Sequence, residues 1–320
     1  MSGEFPQLKD LRAGGKRQLA RVLTRLETHA DEAETAAFLD AVAAQPLAQV
    51  LGLTGPPGVG KSSLTDALIR SFRADGLRVG VLAIDPSSAL TGGALLGDRT
   101  RLKTDPADDG VFVRSMAARD RLGGLSDEAV AAIAVLRAVC DRLIVETVGI
   151  GQSEGDLKHA VDTVVLCIQP GSGDSLQFMK AGIMELPDVV AVTKADMGAL
   201  ARRAASDVAG ALSLARAGGD GWKVPVCEVS SQTAAGVPEL VDHLNLHKAH
   251  LTACGRLEER RNAQHVAWFR DMVRGEFGQA GLRLVQQDPD RPWLSRARTA
   301  PFASFASFAV ETRTLMGLQT

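Results

Sequence analysis

The chain has 320 residues, of which 45% are apolar and 23% charged, with a formal charge of -2. That length accommodates one large α/β domain with helical extensions or two smaller domains, and the near-neutral charge gives no electrostatic argument for nucleic acid or an acidic membrane, so neither is expected as a partner. No apolar run reaches bilayer length, and the polar N-terminus, with Glu4 and Asp10, reads neither as a secretory signal nor as a transit peptide. The four cysteines, Cys140, Cys167, Cys227 and Cys254, form no C-x-x-C pair. They read as buried small hydrophobes in a reducing, cytoplasmic compartment.

Residues 1–46 carry no strand signal. Leu8, Leu11, Leu19, Val22, Leu23 and Leu26 recur at near-helical spacing and Ala33 to Ala44 is helix-prone, which predicts a helical N-terminal extension. From residue 47 the pattern changes to short apolar runs separated by helical segments. Val50 to Leu53 leads into Gly55-Pro-Pro-Gly58-Val59-Gly60-Lys61-Ser62-Ser63, and Leu64 to Phe72 leaves it as a helix. Every fixed position of the G-x-x-x-x-G-K-[ST] phosphate loop is therefore filled, in strand–loop–helix context. Glycines let successive N–H groups curl inward onto a phosphate, and the helix behind adds the positive end of its dipole. Lys61 would reach the β- and γ-phosphates and the Ser62 hydroxyl would ligate Mg²⁺. A nucleoside triphosphate site built of Gly55, Gly58, Val59, Gly60, Lys61, Ser62 and Ser63 follows.

The next runs are Val79 to Ile84, ending at Asp85, then Val111 to Val113, and Leu143 to Val145, ending at Glu146. Val164 to Ile168 ends at Gln169, Val189 to Val192 at Thr193, and Val226 to Val229 at Ser230. Strands this apolar, each followed by a helix, predict an α/β fold: a doubly wound, mostly parallel sheet of the P-loop NTPase kind, with ligands at the carboxyl edge. Thr193-Lys194-Ala195-Asp196 fits the N/T-K-x-D guanine loop. The Asp196 carboxylate can accept from guanine N1 and N2, where adenine offers no such donor pair, and the Lys194 stem would lie over the base. Ser230, Ser231 and Gln232 follow the next strand, where a backbone N–H would meet guanine O6. These residues select GTP and GDP.

Three acids compete for the metal. Glu146-Thr-Val-Gly149 has the spacing of a D-x-x-G loop with Glu in place of Asp, and Gly149 could offer its N–H to the γ-phosphate. Asp85 ends its own strand, and Asp98 lies in the Gly-rich stretch Gly97 to Arg101. Because Mg²⁺ keeps several waters and takes few protein ligands, the order is Ser62, then Glu146 and Asp85 at one remove, then Asp98 in one nucleotide state only. Beyond about Gly236 the strands stop, which places a nucleotide domain at 47–250 and a helical arm at 251–320. Phe302, Phe305 and Phe308 recur every three residues and predict an intermolecular contact. His243, His247 and His250 share one helical face; with no cysteine nearby they read as a solvated or dimer-facing stripe rather than a metal site.

Together Gly55-Pro-Pro-Gly-Val-Gly-Lys-Ser62, Ile84-Asp-Pro-Ser-Ser88, Gly97-Asp-Arg-Thr-Arg101, Val145-Glu-Thr-Val-Gly-Ile-Gly-Gln-Ser-Glu154 and Pro170-Gly-Ser-Gly-Asp-Ser-Leu-Gln177 resemble the MeaB/ArgK-type GTPases. Those are G-protein chaperones of adenosylcobalamin-dependent acyl-CoA mutases. The resemblance spans roughly residues 45 to 240 and implies a GTP-hydrolysing metallochaperone. Such a protein gates cofactor delivery to a mutase and release of damaged cofactor, as a homodimer built through the C-terminal arm. By position, Gly97 to Arg101 would be switch I, Glu146 to Glu154 switch II and Gly171 to Lys180 a third switch. Lys180 falls at a lysine that couples the partner to hydrolysis.

Two positions depart from the pattern. Thr193 stands where most relatives have Asn, losing an amide that braces the loop and contacts guanine N7, and Ala181 interrupts a two-lysine pattern expected after Gln177. These differences suggest a divergent member serving a mutase such as that for 2-hydroxyisobutyryl-CoA rather than methylmalonyl-CoA. No Gln follows Gly149 directly, as it does in Ras-like proteins; Gln152 lies three residues on. Slow intrinsic hydrolysis is expected, raised when a partner orders Asp98, Gln152 and Lys180 around Lys61 and Mg²⁺. The same loop would also serve a small-molecule kinase of the ArgK type or a nickel-insertion GTPase, which would need a Cys/His cluster.

Overall fold

The computed structural model describes residues 4–28, 33–85, 102, 104–117, 125–147, 157–171, 183–214, 221–287 and 292–317. Its strands are β1 (Gln49–Thr54), β2 (Val79–Asp85), β3 (Val111–Ala117), β4 (Arg142–Thr147), β5 (Thr163–Ile168), β6 (Val189–Val192) and β7 (Val226–Glu228). The α-helices are α1 (Leu8–Ala13), α2 (Gly15–Thr28), α3 (Ala33–Ala43), α4 (Lys61–Ala74), α5 (Asp127–Val139), α6 (Ala199–Leu214), α7 (Val237–Ala253), α8 (Arg256–Gln287), α9 (Trp293–Ala297) and α10 (Pro301–Leu315). Contacts divide the chain into two compact units. One is Ala48–Ser126 with Cys140–Leu257; the other is Met1–Leu47, Asp127–Val139 and Glu258–Thr320.

In the first unit all seven strands run parallel, in the order β3-β2-β4-β1-β5-β6-β7. The apolar runs form strands because both faces of the sheet are covered: every residue of β1, β5 and β6 is buried. Period-two alternation sorts them by face. Val165 and Cys167 pack with Leu64, Leu68 and Leu244 of α4 and α7, while Leu166 and Ile168 pack with Val208 of α6. The chain leaves β1 toward β4 and β2 but crosses to β5 on the other side. The carboxyl end of β1 thus lies at the switch in strand order where α/β sheets hold their ligands.

The amino-terminal edge of the same sheet carries a buried polar chain. Arg142 Nη1 donates to Gln49 Oε1 at 2.7 Å, and Gln49 Nε2 donates to Thr163 Oγ1 at 3.1 Å. Thr163 Oγ1 meets His247 Nδ1 at 2.9 Å, and His247 Nε2 lies 3.3 Å from Asp188 Oδ1. The histidine stripe is therefore corrected. His247 is buried against Trp222, because α7 turns that face inward; among the described residues no cluster of His, Cys, Asp or Glu is arranged for a metal. The cysteine reading holds for Cys140, Cys167 and Cys227, but Cys254, at the carboxyl end of α7, is exposed.

The second unit is helical. Leu19, Val22, Leu23 and Leu26 form the buried stripe of α2, and every residue of α5 from Ala129 onward is buried, as suits a helix that is apolar all round. Arg137 of α5 is fully buried; its guanidinium donates to Gln264 Oε1 at 2.8 Å and lies 5.5 Å from the Trp268 ring centroid. α8 breaks at Gly278, where φ is 61° and ψ -152°. Around the break, Phe269 and Phe277 before it and Trp293 after it each meet Phe308 edge-on. Phe302 and Phe308 are thus core residues of their own chain, which corrects the intermolecular reading for these two; only Phe305 is partly open. The Asp40 carboxylate accepts from the N–H groups of Phe302 and Ala303 and so caps α10, although burial pushes its carboxyl above the ordinary range. No described helix is long and apolar enough to cross a membrane.

Candidate active site

β1 delivers the chain to the phosphate loop and α4 carries it away. Gly55, Gly58 and Gly60 all have positive φ, at 138°, 73° and 101°. At Gly55 there is also no room: a Cβ would lie 2.3 Å from the carbonyl oxygen of Cys167 on β5. Lys61 is buried, and its ammonium donates to the carbonyls of Gly55 at 2.7 Å and Pro56 at 3.1 Å, holding the charge within the curl of the loop. Val59 is fully buried, whereas the Ser63 side chain is exposed on the first turn of α4. Behind the loop the Cys167 thiol is pushed up to about 12 by burial, against the pull of nearby Lys61, so it is an inert wall.

The first turn of α4 faces the end of β4. Ser62 Oγ donates to Glu146 Oε1 at 2.6 Å and Thr65 Oγ1 donates to Glu146 Oε2 at 2.9 Å. A hydroxyl that spends its hydrogen on a carboxylate keeps its lone pairs for a cation, and oxygen donors suit Mg²⁺, so this pair fits a magnesium site. The backbone of Asp85 ends β2; its side chain lies outside the described residues. Asp98, Gly149, Gln152 and Lys180 also lie outside them, as do the assigned switch segments apart from Glu146, Thr147 and Gly171.

The third group follows β6. Thr193 is buried, and its hydroxyl donates to the carbonyls of Val59 at 2.6 Å and Ile168 at 3.2 Å. The brace expected to be lost with Asn is thereby supplied by the threonine, which ties the loop after β6 directly to the phosphate loop. Lys194 sits in the left-handed region at φ 55°, a strain of about 1–2 kcal/mol. It is held there by Ala195 N–H donating to Val229 O at 3.1 Å and by its ammonium, which donates to Gly58 O at 3.2 Å and Gln169 Oε1 at 2.5 Å. Asp196 is exposed, and Ser230 Oγ donates to its Oδ1 at 2.7 Å. Ser230 is itself fixed by its N–H to Ala235 O at 2.9 Å, while Ser231 and Gln232 lie on the turn that follows.

All described members of the predicted site thus gather at one edge of the sheet. Sequence reasoning missed Thr65 and Gln169. Thr65 was open to discovery, since it lies three residues after Ser62 and so on the same helix face; the partnership of Gln169 with Lys194 has no local signature.

A phosphate loop, a hydroxyl–carboxylate pair beside it and an N/T-K-x-D loop tied to it, on a parallel sheet, define a P-loop GTPase. Comparison with known proteins agrees. The family described as methylmalonyl Co-A mutase-associated GTPase MeaB matches residues 19–282, and the chain belongs to that family. A Pyrococcus abyssi protein is 41% identical over 301 residues, covering 88% of this chain and 92% of its own. GTPase ArgK of Escherichia coli is 34% identical over 278 residues, 84% of this chain and 83% of its own. The mouse methylmalonic aciduria type A homolog is 35% identical over 232 residues, 72% of this chain and 56% of its own. Among solved structures, a LAO/AO transport system kinase superposes with a TM-score of 0.69 at 26% identity, covering 96% of each chain. The protein is a GTPase: it binds guanine nucleotide with a metal ion and hydrolyses GTP to GDP and phosphate.

Proposed function

We propose that this GTPase is a metallochaperone that gates adenosylcobalamin delivery to an adenosylcobalamin-dependent acyl-CoA mutase and protects or reactivates it. The mutase would be that for methylmalonyl-CoA or a related one such as 2-hydroxyisobutyryl-CoA mutase. The observation that carries the reading is the match of residues 19–282 to a family described by its association with methylmalonyl-CoA mutase. The mouse relative, named for methylmalonic aciduria, points the same way.

In this reading Lys61 and the N–H groups of Gly58 to Ser63 hold the phosphates, and Asp196, Lys194 and the turn Ser230 to Gln232 hold guanine. Ser62 would ligate Mg²⁺ with Glu146 behind it, and Asp85 and Asp98 are further candidates. Bound Mg²⁺ would neutralise charge on the β- and γ-phosphate oxygens. The chain's own contribution to hydrolysis is positioning: Lys61 spreads γ-phosphate charge, and Gln152, Asp98 and Lys180 are proposed to order the attacking water when a partner binds. Intrinsic turnover is then slow and partner-stimulated. A homodimer through residues 251–320 is part of the proposal; Val310, Leu315 and Met316, all large apolar side chains, are exposed there.

Capture of candidate mutases in the presence of a non-hydrolysable GTP analogue and of GDP tests the reading. A nucleotide-dependent difference is expected; equal binding in both states, or none to any mutase, overturns it. The kinase name of the LAO/AO structure favours one second reading, phosphoryl transfer to a small acceptor. Phosphate release from GTP that falls, with phosphorylated product appearing, when an acceptor is added would favour that reading instead.

A further inference from the structure

We infer that Thr65 is a positioning residue for the metal: it holds Glu146 in the rotamer that serves Ser62. The inference rests on the proposed Mg²⁺ site and adds to it a residue outside the phosphate-loop pattern. Thr65 is fully buried on α4, three residues after Ser62, so both hydroxyls project from one helix face toward the end of β4. A buried threonine in a helix ordinarily turns its hydroxyl back onto a carbonyl of the preceding turn. Here it is given to Glu146 Oε2 at 2.9 Å, while Oε1 takes the Ser62 hydroxyl at 2.6 Å.

The geometry divides the labour within one carboxylate. A glutamate at a strand end has three side-chain torsions to settle, and the Ser62 hydroxyl meets only one of its two oxygens. A second bond, from a rigid β-branched residue in the same helix, fixes both oxygens at once. Glu146 is then held beside Ser62 and orients the serine hydroxyl so that its lone pairs face away from the carboxylate. Thr65 touches neither nucleotide nor metal in this scheme. It acts through Glu146, as partners behind the ligands of metal sites do, whose loss costs about 10- to 100-fold in metal affinity.

The test is the Mg²⁺ dependence of GDP release from the full chain, followed with a fluorescent GDP across a magnesium titration buffered with EDTA. For Thr65→Val, which keeps the shape and removes the hydroxyl, the Mg²⁺ concentration giving half-maximal retention should rise about 10- to 100-fold. GDP affinity in EDTA should stay near that of the parent, and Thr65→Ser should restore the magnesium dependence. An unchanged magnesium midpoint in Thr65→Val overturns the inference. Equal losses with and without metal, or failure of Thr65→Ser to rescue, also overturn it, because they mark a packing role. Should the parent itself release GDP at a rate indifferent to magnesium, the metal-site reading beneath it fails instead.

Discussion

Replacing Gly55 by alanine is the sharpest probe of how β1 and β5 shape the phosphate loop. The added Cβ would stand 2.3 Å from the carbonyl oxygen of Cys167 and 3.2 Å from its carbonyl carbon. An ordinary C···O approach is about 3.3 Å, so the two chains must part by about 1 Å where the loop begins. The obstacle is backbone and cannot rotate aside. A φ of 138° is also a conformation that L side chains rarely adopt, adding strain on the order of 1–3 kcal/mol. Strain of that size, relieved by opening the phosphate cradle, weakens GDP binding by about 5- to 150-fold. Gly58→Ala is the control: its Cβ meets nothing within 4 Å, and only the left-handed φ of 73° is charged against it, about 1–2 kcal/mol. Titration of fluorescent GDP against both variants, with circular dichroism to verify folding, gives the comparison. If folded Gly55→Ala binds GDP within about threefold of the parent, or better than Gly58→Ala, the reasoning from close approach is wrong.

Two further outcomes are expected. Thr193→Val deletes the hydroxyl that donates to Val59 O and Ile168 O; GDP dissociation measured by stopped flow should quicken about 5- to 10-fold, with Thr193→Asn recovering part of the loss, and an unchanged rate would show that the tie is idle. His265 is pushed down to about 4 from an ordinary 6.5, chiefly by burial and also by Arg137 and Arg261, while its Nδ1–H donates to Arg298 O. As pH falls the unfolded chain takes the proton first, so stability is full above about 6.5 and is lost progressively toward 4, by about 3 kcal/mol at most. Urea unfolding followed by tryptophan fluorescence at pH 7 and pH 4.5 should show this loss in the parent and a smaller one in His265→Gln; equal losses would remove His265 as the cause.

The sheet was legible because a strand buried on both faces must be apolar throughout. Each of the seven runs read from the sequence is a strand, and Val111 to Val113 and Leu143 to Val145 fell short only where Arg114, Ser115, Glu146 and Thr147 interrupt the apolar signal. The phosphate and guanine loops were legible for a different reason: their chemistry is local and keeps fixed spacing. What escaped was decided by partners distant in sequence. α5 groups with the terminal helices rather than with the strands that flank it in the chain. The three-residue period of Phe302 and Phe308 says that they share a side of α10, not that Phe269 and Trp293 cover it. His247 is buried by Asp188 and Thr163, neither of which its own helix announces. Thr193 shows the converse, a departure from the usual residue whose own hydroxyl reaches Val59 O and ties the two loops together.

The central claim is that one carboxylate beside the phosphate loop chooses the purine. Ser230 holds one oxygen of Asp196, and we propose that the carboxylate accepts from guanine N1 and N2. Asp196→Asn replaces an acceptor by a donor, which suits the 2-oxo group of xanthine rather than the 2-amino group of guanine. Calorimetry of parent and variant with GDP and XDP decides the matter. The account predicts that Asp196→Asn loses GDP affinity by about 100-fold or more and gains affinity for XDP. GDP binding that survives the substitution, or a parent on which ATP competes as well as GTP, would contradict it.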